Sequence, residues 1–166
     1  MPTESRLVEL RDALVRDFKQ FIPDMRSVEA HFGPFDLDEL KAFSLKAPAI
    51  RVSILGGPLD AVSTREQDVR LQCAAYIVTR PLAASGADVI ALRIAEALVE
   101  RISARSFTRW SEPGTQLQLD NHYSGAVREA GSIALFSLAW QTVVRVGRNV
   151  AYERLMADGT PEETTP

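Results

Sequence analysis

The sequence predicts a single α+β domain, on three observations. Two alternating apolar runs, 49–55 and 69–79, lie on either side of a Gly56-Gly57-Pro58 break. Helical periodicity flanks this pair at 5–21 and 87–104, and a third strand-like run spans 132–146. A chain of 166 residues suits one domain, with no internal repeat and no second composition zone large enough to fold alone. At that size a domain buries about 70% of its unfolded surface.

In chain order, Leu7, Leu10, Leu14, Phe18 and Phe21 recur at steps of three and four and define a core-facing helix over 5–21. Arg6, Glu9, Arg11, Asp12, Arg16, Asp17 and Lys19 fall on its solvent side. Thr3 or Ser5 caps its start and Pro23 ends it. Residues 25–32 are ambiguous and fit a short strand before the Gly33-Pro34 turn. Asp36-Leu37-Asp38-Glu39 has the form of a capping box that opens a short helix through Phe43, and Pro48 forbids its continuation. Ile50, Val52 and Ile54 alternate with Arg51 and Ser53, the pattern of a half-buried strand.

A polar loop follows to about Asp68. Val69, Leu71, Cys73, Ala75 and Ile77 then define a second strand with Arg70 and Gln72 on its outer side, closed by Pro81. The pair reads as an antiparallel hairpin with a long tip. Ser85 caps the next helix, whose apolar stripe is Ala91, Leu92, Ala95, Leu98, Val99 and Ile102. After a looser segment with Trp110 and a Glu112-Pro113-Gly114 turn, 132–146 is long for one strand, and a bulge or bend is expected in it. The domain is expected to span 1–152, followed by a disordered acidic tail over 153–166.

The net charge of −3 resides in that tail, which leaves residues 1–152 formally neutral. A neutral body without a basic stripe argues against a dedicated nucleic-acid binder, since phosphate neutralisation needs clustered Lys and Arg. No run reaches the ~18 apolar residues of a membrane span, and no secretory leader pattern is visible, so a reducing, cytosolic setting is expected. Among the 19 basic residues only Lys19, Lys41 and Lys46 are lysines. Arg enrichment fits either an Arg-rich oligomer interface or a GC-rich coding bias.

No catalytic motif emerges. His31 and His122 are the only histidines and neither has ligand spacing to Cys73, so no metal site is expected. Gly56-Gly57-Pro58 lacks the Gly-Lys-Ser/Thr of a phosphate loop, and no Gly-x-Ser-x-Gly elbow is present. Cys73 lies on the apolar side of a strand, where it acts as a small hydrophobe. Asp120-Asn121-His122-Tyr123 either lines a pocket or forms a turn in which Asp and Asn bond their own backbone. No enzyme activity and no cofactor are expected.

This order of elements resembles the tail terminator proteins of Mu-like phages and prophages. The resemblance is carried by the N-terminal helix, the segment 36–43, Pro48-Ala49-Ile50-Arg51-Val52 opening a strand, and the long loop. The strand 72–79, the helix 87–104 and the closing strand 134–146 complete it, over most of residues 5–147. It implies a mixed or antiparallel sheet with two main helices packed on it. It also implies a homo-oligomeric ring, commonly a hexamer, at the virion's tail–neck junction, assembled in the host cytoplasm. Such a ring caps the tail tube, stops its polymerisation and meets a neck or head-completion protein. DNA passes through the lumen without sequence-specific binding, and no enzymatic step or membrane is involved.

Within that reading Arg65, Glu66 and Asp68 on the hairpin tip are candidate contacts to the tube or to a neighbouring subunit. Trp110 is either core or an interface anchor. Two other readings stand beside it: another head–tail neck component, or a small ligand-binding or enzymatic α+β domain with a pocket beside Asp120 to Tyr123.

Overall fold

A computed structural model describes residues 5–36, 39–44, 46–62, 66–125, 127 and 132–147. The chain runs α1 (Arg6–Phe21), β1 (Ser27–Ala30), α2 (Leu40–Ser44), β2 (Ala49–Gly56), β3 (Leu59–Ala61), β4 (Gln67–Thr79), α3 (Ala87–Ala104), β5 (Thr115–Asn121) and β6 (Ala134–Val146). The six strands form one mixed sheet in the order β1-β2-β4-β6-β5, with β3 also paired to β4. This is the expected α+β domain, with α1 and α3 as its main helices on one face.

The helix-facing side holds the principal core. Leu10, Leu14 and Phe18 of α1 and Ala91, Ile94, Ala95, Leu98 and Ile102 of α3 meet Ile50, Val52, Leu71, Cys73, Ala75, Ile77, Leu138 and Trp140 of the sheet. The period-2 pattern of β4 and the 3.6-residue period of the helices converge on this layer. Asp17 fastens the two helices together. Expected on the solvent side, it is buried, and its carboxylate accepts two 2.8 Å hydrogen bonds from Arg101, with Arg105 at 3.1 Å.

Several expectations need correction. Ser5 does cap α1, its hydroxyl accepting from the Val8 amide, but Phe21 leaves the apolar stripe. It stands half exposed at the helix end beneath the Arg101 guanidinium, and Ile22 takes the core position. The N-cap of α3 is Gly86, because Ser85 is engaged in a backbone bridge with Leu82. Leu92 and Val99 point outward, and Ile94 fills the core in their place. Helix α3 is therefore apolar over more of its circumference than the sheet covers.

β2 is not half-buried but covered on both faces along most of its length. Arg51, expected outside, is 1% exposed; its Nη1 donates to Ser27 Oγ (2.9 Å) and to the Ile50 carbonyl (3.0 Å), and its Nη2 lies 3.5 Å from Glu29. Ser53 donates to the Gly33 carbonyl. A second apolar cluster of Leu40, Ala47, Val78, Val127, Ile133 and Leu135 covers the upper part of this other face. In the Asp36–Glu39 segment, the Glu39 amide donates to the Asp36 carbonyl and the Glu39 carboxylate lies 3.3 Å from His31 Nε2.

The expected bulge in the closing strand is absent: β4 and β6 pair without interruption from Gln67↔Val146 to Thr79↔Ala134. Register shifts fall in shorter strands instead, between Ile54 and Gly56 in β2 and between Thr115 and Gln118 in β5, where Gln116 has φ +50. The acidic segment 153–166 lies outside the described residues.

Cys73 is fully buried, and burial pushes its thiol up to about 12. Iodoacetamide at mildly alkaline pH is expected to leave the native protein unlabelled, because thiolate is scarce and access is closed. In concentrated guanidinium chloride mass spectrometry should find it fully alkylated. Rapid labelling of the native fold would contradict this placement.

Candidate assembly surface

The loop expected between the two central strands contains a short strand, and β4 begins within it at Gln67. β3 continues the line of β2 along the same side of β4, in register Leu59↔Val69 to Ala61↔Gln67. Gly57 permits this continuation, since a Cβ there would collide with the backbone carbonyl of Arg70. A hydrogen bond from the Val62 amide to the Glu66 carbonyl (3.2 Å) closes the hairpin, so its true tip is 62–66.

Of the candidate contact residues, Arg65 lies outside the described residues, whereas the structure brings Glu66, Asp68 and Trp110 together. Arg6, in the first turn of α1, is the centre of the group. Its guanidinium lies 3.5 Å from the centroid of the Trp110 ring and 3.8 Å from Glu66, and donates to the Arg145 carbonyl at 2.9 Å. Arg145 in turn donates from Nε and Nη2 to the two Asp68 oxygens at 2.9 and 3.1 Å, and its amide bonds the Trp110 carbonyl. Arg109 lies 4.3 Å from the Trp110 ring. Trp110 is half-buried and packs against the main core. These side chains tie α1, β4, β6 and the 105–114 connection into a rigid foot beneath the hairpin.

The hydrogen bond from Arg145 holds the Asp68 carboxyl below the ordinary carboxylate range. The folded value lies below the unfolded one, so the pair contributes stability at neutral pH that disappears as pH falls through the lowered value. Asp68→Asn should therefore lose most at neutral pH and converge with the parent protein as thermal melts are taken below about pH 4. A constant gap down to the acid limit would contradict this coupling.

A cavity of about 180 Å³ opens at the other end of the sheet, lined by Phe35, Tyr76, His122, Ser124 and Leu135. Phe35 and Tyr76 stack at 5.2 Å, and His122 Nε2 makes a 2.6 Å hydrogen bond with Ser137 Oγ. Asn121 accepts from the Tyr123 amide, the turn geometry weighed for this run, and the Asp120 oxygens accept from Gln118. Of this run, Asn121 shows the turn bond and His122 lines the cavity, whereas Asp120 and Asn121 belong to β5 and the Asp120 carboxylate bonds a side chain, not its own backbone. The cavity is below the ~300–1,000 Å³ usual for ligand sites, and of its two titratable side chains, Tyr76 and His122, the second is held by Ser137. A broader depression of about 490 Å³ beside it is lined mainly by apolar residues with Asp88 and Tyr123. Among the described residues no group of three His, Cys, Asp or Glu side chains is placed to hold a metal, and no helix is long and apolar enough to cross a membrane.

The sheet margins are the larger feature. Among the described residues β1 has a strand partner on one side only, β2, and β5 only β6. β1 is parallel to β2, and each further step across the sheet is antiparallel, so β5 runs opposite to β1. On the β5 side of the sheet α3 exposes Val89, Leu92 and Val99 at 39, 44 and 37% of their surface. Sequence reasoning missed this outer stripe because it assigned Leu92 and Val99 to the core; the surplus of apolar positions around α3 was the available signal. Comparison with models of known protein families and with curated proteins finds no match to this chain.

Proposed function

We propose that this chain is a ring-forming structural subunit of a phage tail, a terminator that caps the tail tube and presents a joining surface to the neck. The observation that carries the reading is the pair of oppositely directed, singly paired strands at the two margins of one sheet. A neighbour's β5 laid against β1 makes an antiparallel pair, the arrangement that satisfies both edges. The contact is head-to-tail, because the two margins differ, and a head-to-tail contact whose rotation closes yields a ring of defined size. The β5 bulge confines regular pairing to its second half, 118–121, close to the four residues that β1 offers.

The ring acts by shape. It matches the tube through one rim and denies the next tube layer at the other, so no bond is made or broken. The hairpin tip 62–66, braced by the Arg6–Trp110–Arg145–Asp68 foot, is the element suited to reach the tube. The neutral body suits a lumen through which DNA moves without being held.

The test is the growth curve of the cognate tube protein followed by light scattering. Added after growth has begun, the chain is expected to stop elongation at amounts far below the tube subunit concentration, since only tube ends are titrated. Growth unaffected at equimolar chain would contradict the reading.

A further inference from the structure

We infer that Arg51 is the positioning residue of the joining edge: from the face turned away from the helices it clamps β1 in the place where a neighbour's β5 pairs. The inference rests on the ring reading and deepens it by naming what holds the edge ready. β1 has little else to fix it. It is four residues long, pairs with β2 alone among the described residues, and gives the main core one side chain, Val28. Its pairing is parallel, the weaker kind per residue. Short strands of this sort open locally, well below the free energy of global unfolding.

Glu29 stands opposite Arg51 in the β1–β2 register. Arg51 Nη1 donates to Ser27 Oγ (2.9 Å), and Nη2 lies 3.5 Å from the Glu29 carboxylate. Ser27 in turn donates to Glu29 Oε1 at 2.7 Å, and Lys46 lies 3.6 Å from the same oxygen. One guanidinium thus reaches the first and third residues of a four-residue strand. The arrangement is costly for a side chain that only fills space. Arg51 is 1% exposed, and burial pulls it below the ordinary arginine range while Glu29 opposes the fall. An apolar side chain of similar volume would avoid that desolvation. What the guanidinium adds is direction, a planar fork that meets two side chains of the edge strand.

Glu29, half exposed, is the outer end of the clamp. The Ser27 hydrogen bond, followed by the charges of Arg51 and Lys46, holds its carboxyl below the usual carboxylate range. The folded value lies below the unfolded one, so this part of the clamp is present at neutral pH. It is lost as pH falls through the lowered value.

Hydrogen exchange followed by NMR tests the clamp without any tube present. The Arg26 and His31 amides flank β1 and bond the Pro48 and Val52 carbonyls at 2.9 and 2.8 Å. In Arg51→Met both are expected to exchange at least about tenfold faster at neutral pH, while the β4–β6 ladder changes far less. Glu29→Gln leaves the buried guanidinium in place and keeps the domain folded, which separates the clamp from folding. It should give a smaller acceleration at the same two amides and remove their loss of protection below about pH 4. Added to Arg51→Met it should change little further, because both act through one clamp. On tube ends, labelled Arg51→Met is expected to need at least about tenfold more protein for occupancy than the parent. Parent-like exchange at Arg26 and His31 in both variants, or exchange that rises equally across the sheet in both, would overturn the inference. A loosened β1 with parent-like end occupancy would overturn it too, by removing β1 from the joint. A parent chain that never occupies tube ends would remove the ring reading and the joining role of the clamp, while the exchange result on the clamp itself would stand.

Discussion

Replacing residues 62–66 by Asn-Gly is expected to abolish tube capping and leave the domain folded. Ala61 and Gln67 are the last paired residues of β3 and β4, and a two-residue Asn-Gly turn joins such a pair without strain. Among the described residues the replacement removes the Val62–Glu66 backbone bond and the Glu66–Arg6 ion pair at 3.8 Å, whose side chains are partly exposed. Such pairs contribute only about 0–1 kcal/mol. The Trp110–Arg6 stacking and the Asp68–Arg145 pair remain, so the foot under the hairpin persists. Thermal melting by circular dichroism should shift by a few degrees at most, while end occupancy and arrest of tube growth disappear. Full capping by the shortened protein would remove the tip from the account and shift attention to the opposite rim.

The largest effect on stability is expected at Trp140. Its side chain is 1% exposed, opposite Cys73 in the β4–β6 ladder, with the Phe18 ring 6.4 Å away at 67°. Phe18 also meets Phe107 edge-on at 5.9 Å, so this group joins α1, β6 and the segment after α3. Gly114 is pressed into the same place: a Cβ there would collide with Ile102 and come within 2.9 Å of Trp140 Cδ1. Truncation to Ala removes the largest side chain of the core, at a cost of about 3–5 kcal/mol. Against a total of about 5–15 kcal/mol for a domain, that is a large share. Urea unfolding should show a marked fall in midpoint for Trp140→Ala and a smaller one for Trp140→Phe, which keeps an aromatic ring. A loss below about 1 kcal/mol would be inconsistent with a close-packed site.

The parts of the fold that were legible are those where local period and burial agree. α1, α3, β4 and β6 each carry a long, regular apolar repeat, and all four reach the main core as that repeat requires. β3 carried no such signal. Its three residues, Leu59, Asp60 and Ala61, are all exposed, and it exists only because Gly57 lets the chain pass close to β4. Arg51 and Ser53 looked outward because the groups that receive them, Ser27 and Glu29 for Arg51 and the Gly33 carbonyl for Ser53, come from a segment about twenty residues away, which no local period reveals. The same limit applied to α3. A helix with apolar residues on most sides does not announce which of them face the sheet, and Leu92 and Val99 proved to be surplus.

The side-chain grouping at the candidate assembly surface was legible in part. Glu66, Asp68 and Trp110 were singled out separately, on a loop tip and beside a turn, and the fold gathers them around Arg6 and Arg145. Neither arginine stood out, because an exposed Arg in a helix or strand gives no sign of its partner. The direction of the sheet margins was invisible to sequence, since it depends on the parallel placement of β1 beside β2.

The central claim is that this chain ends a tube, and the most direct measurement is tube length by negative-stain electron microscopy, with the cognate tube protein polymerised in the presence and absence of the chain. The account expects shorter tubes whose mean length falls as chain is added, each with a ring of density at one end. Tubes of unchanged length with bare ends, even with the chain in excess, would contradict it.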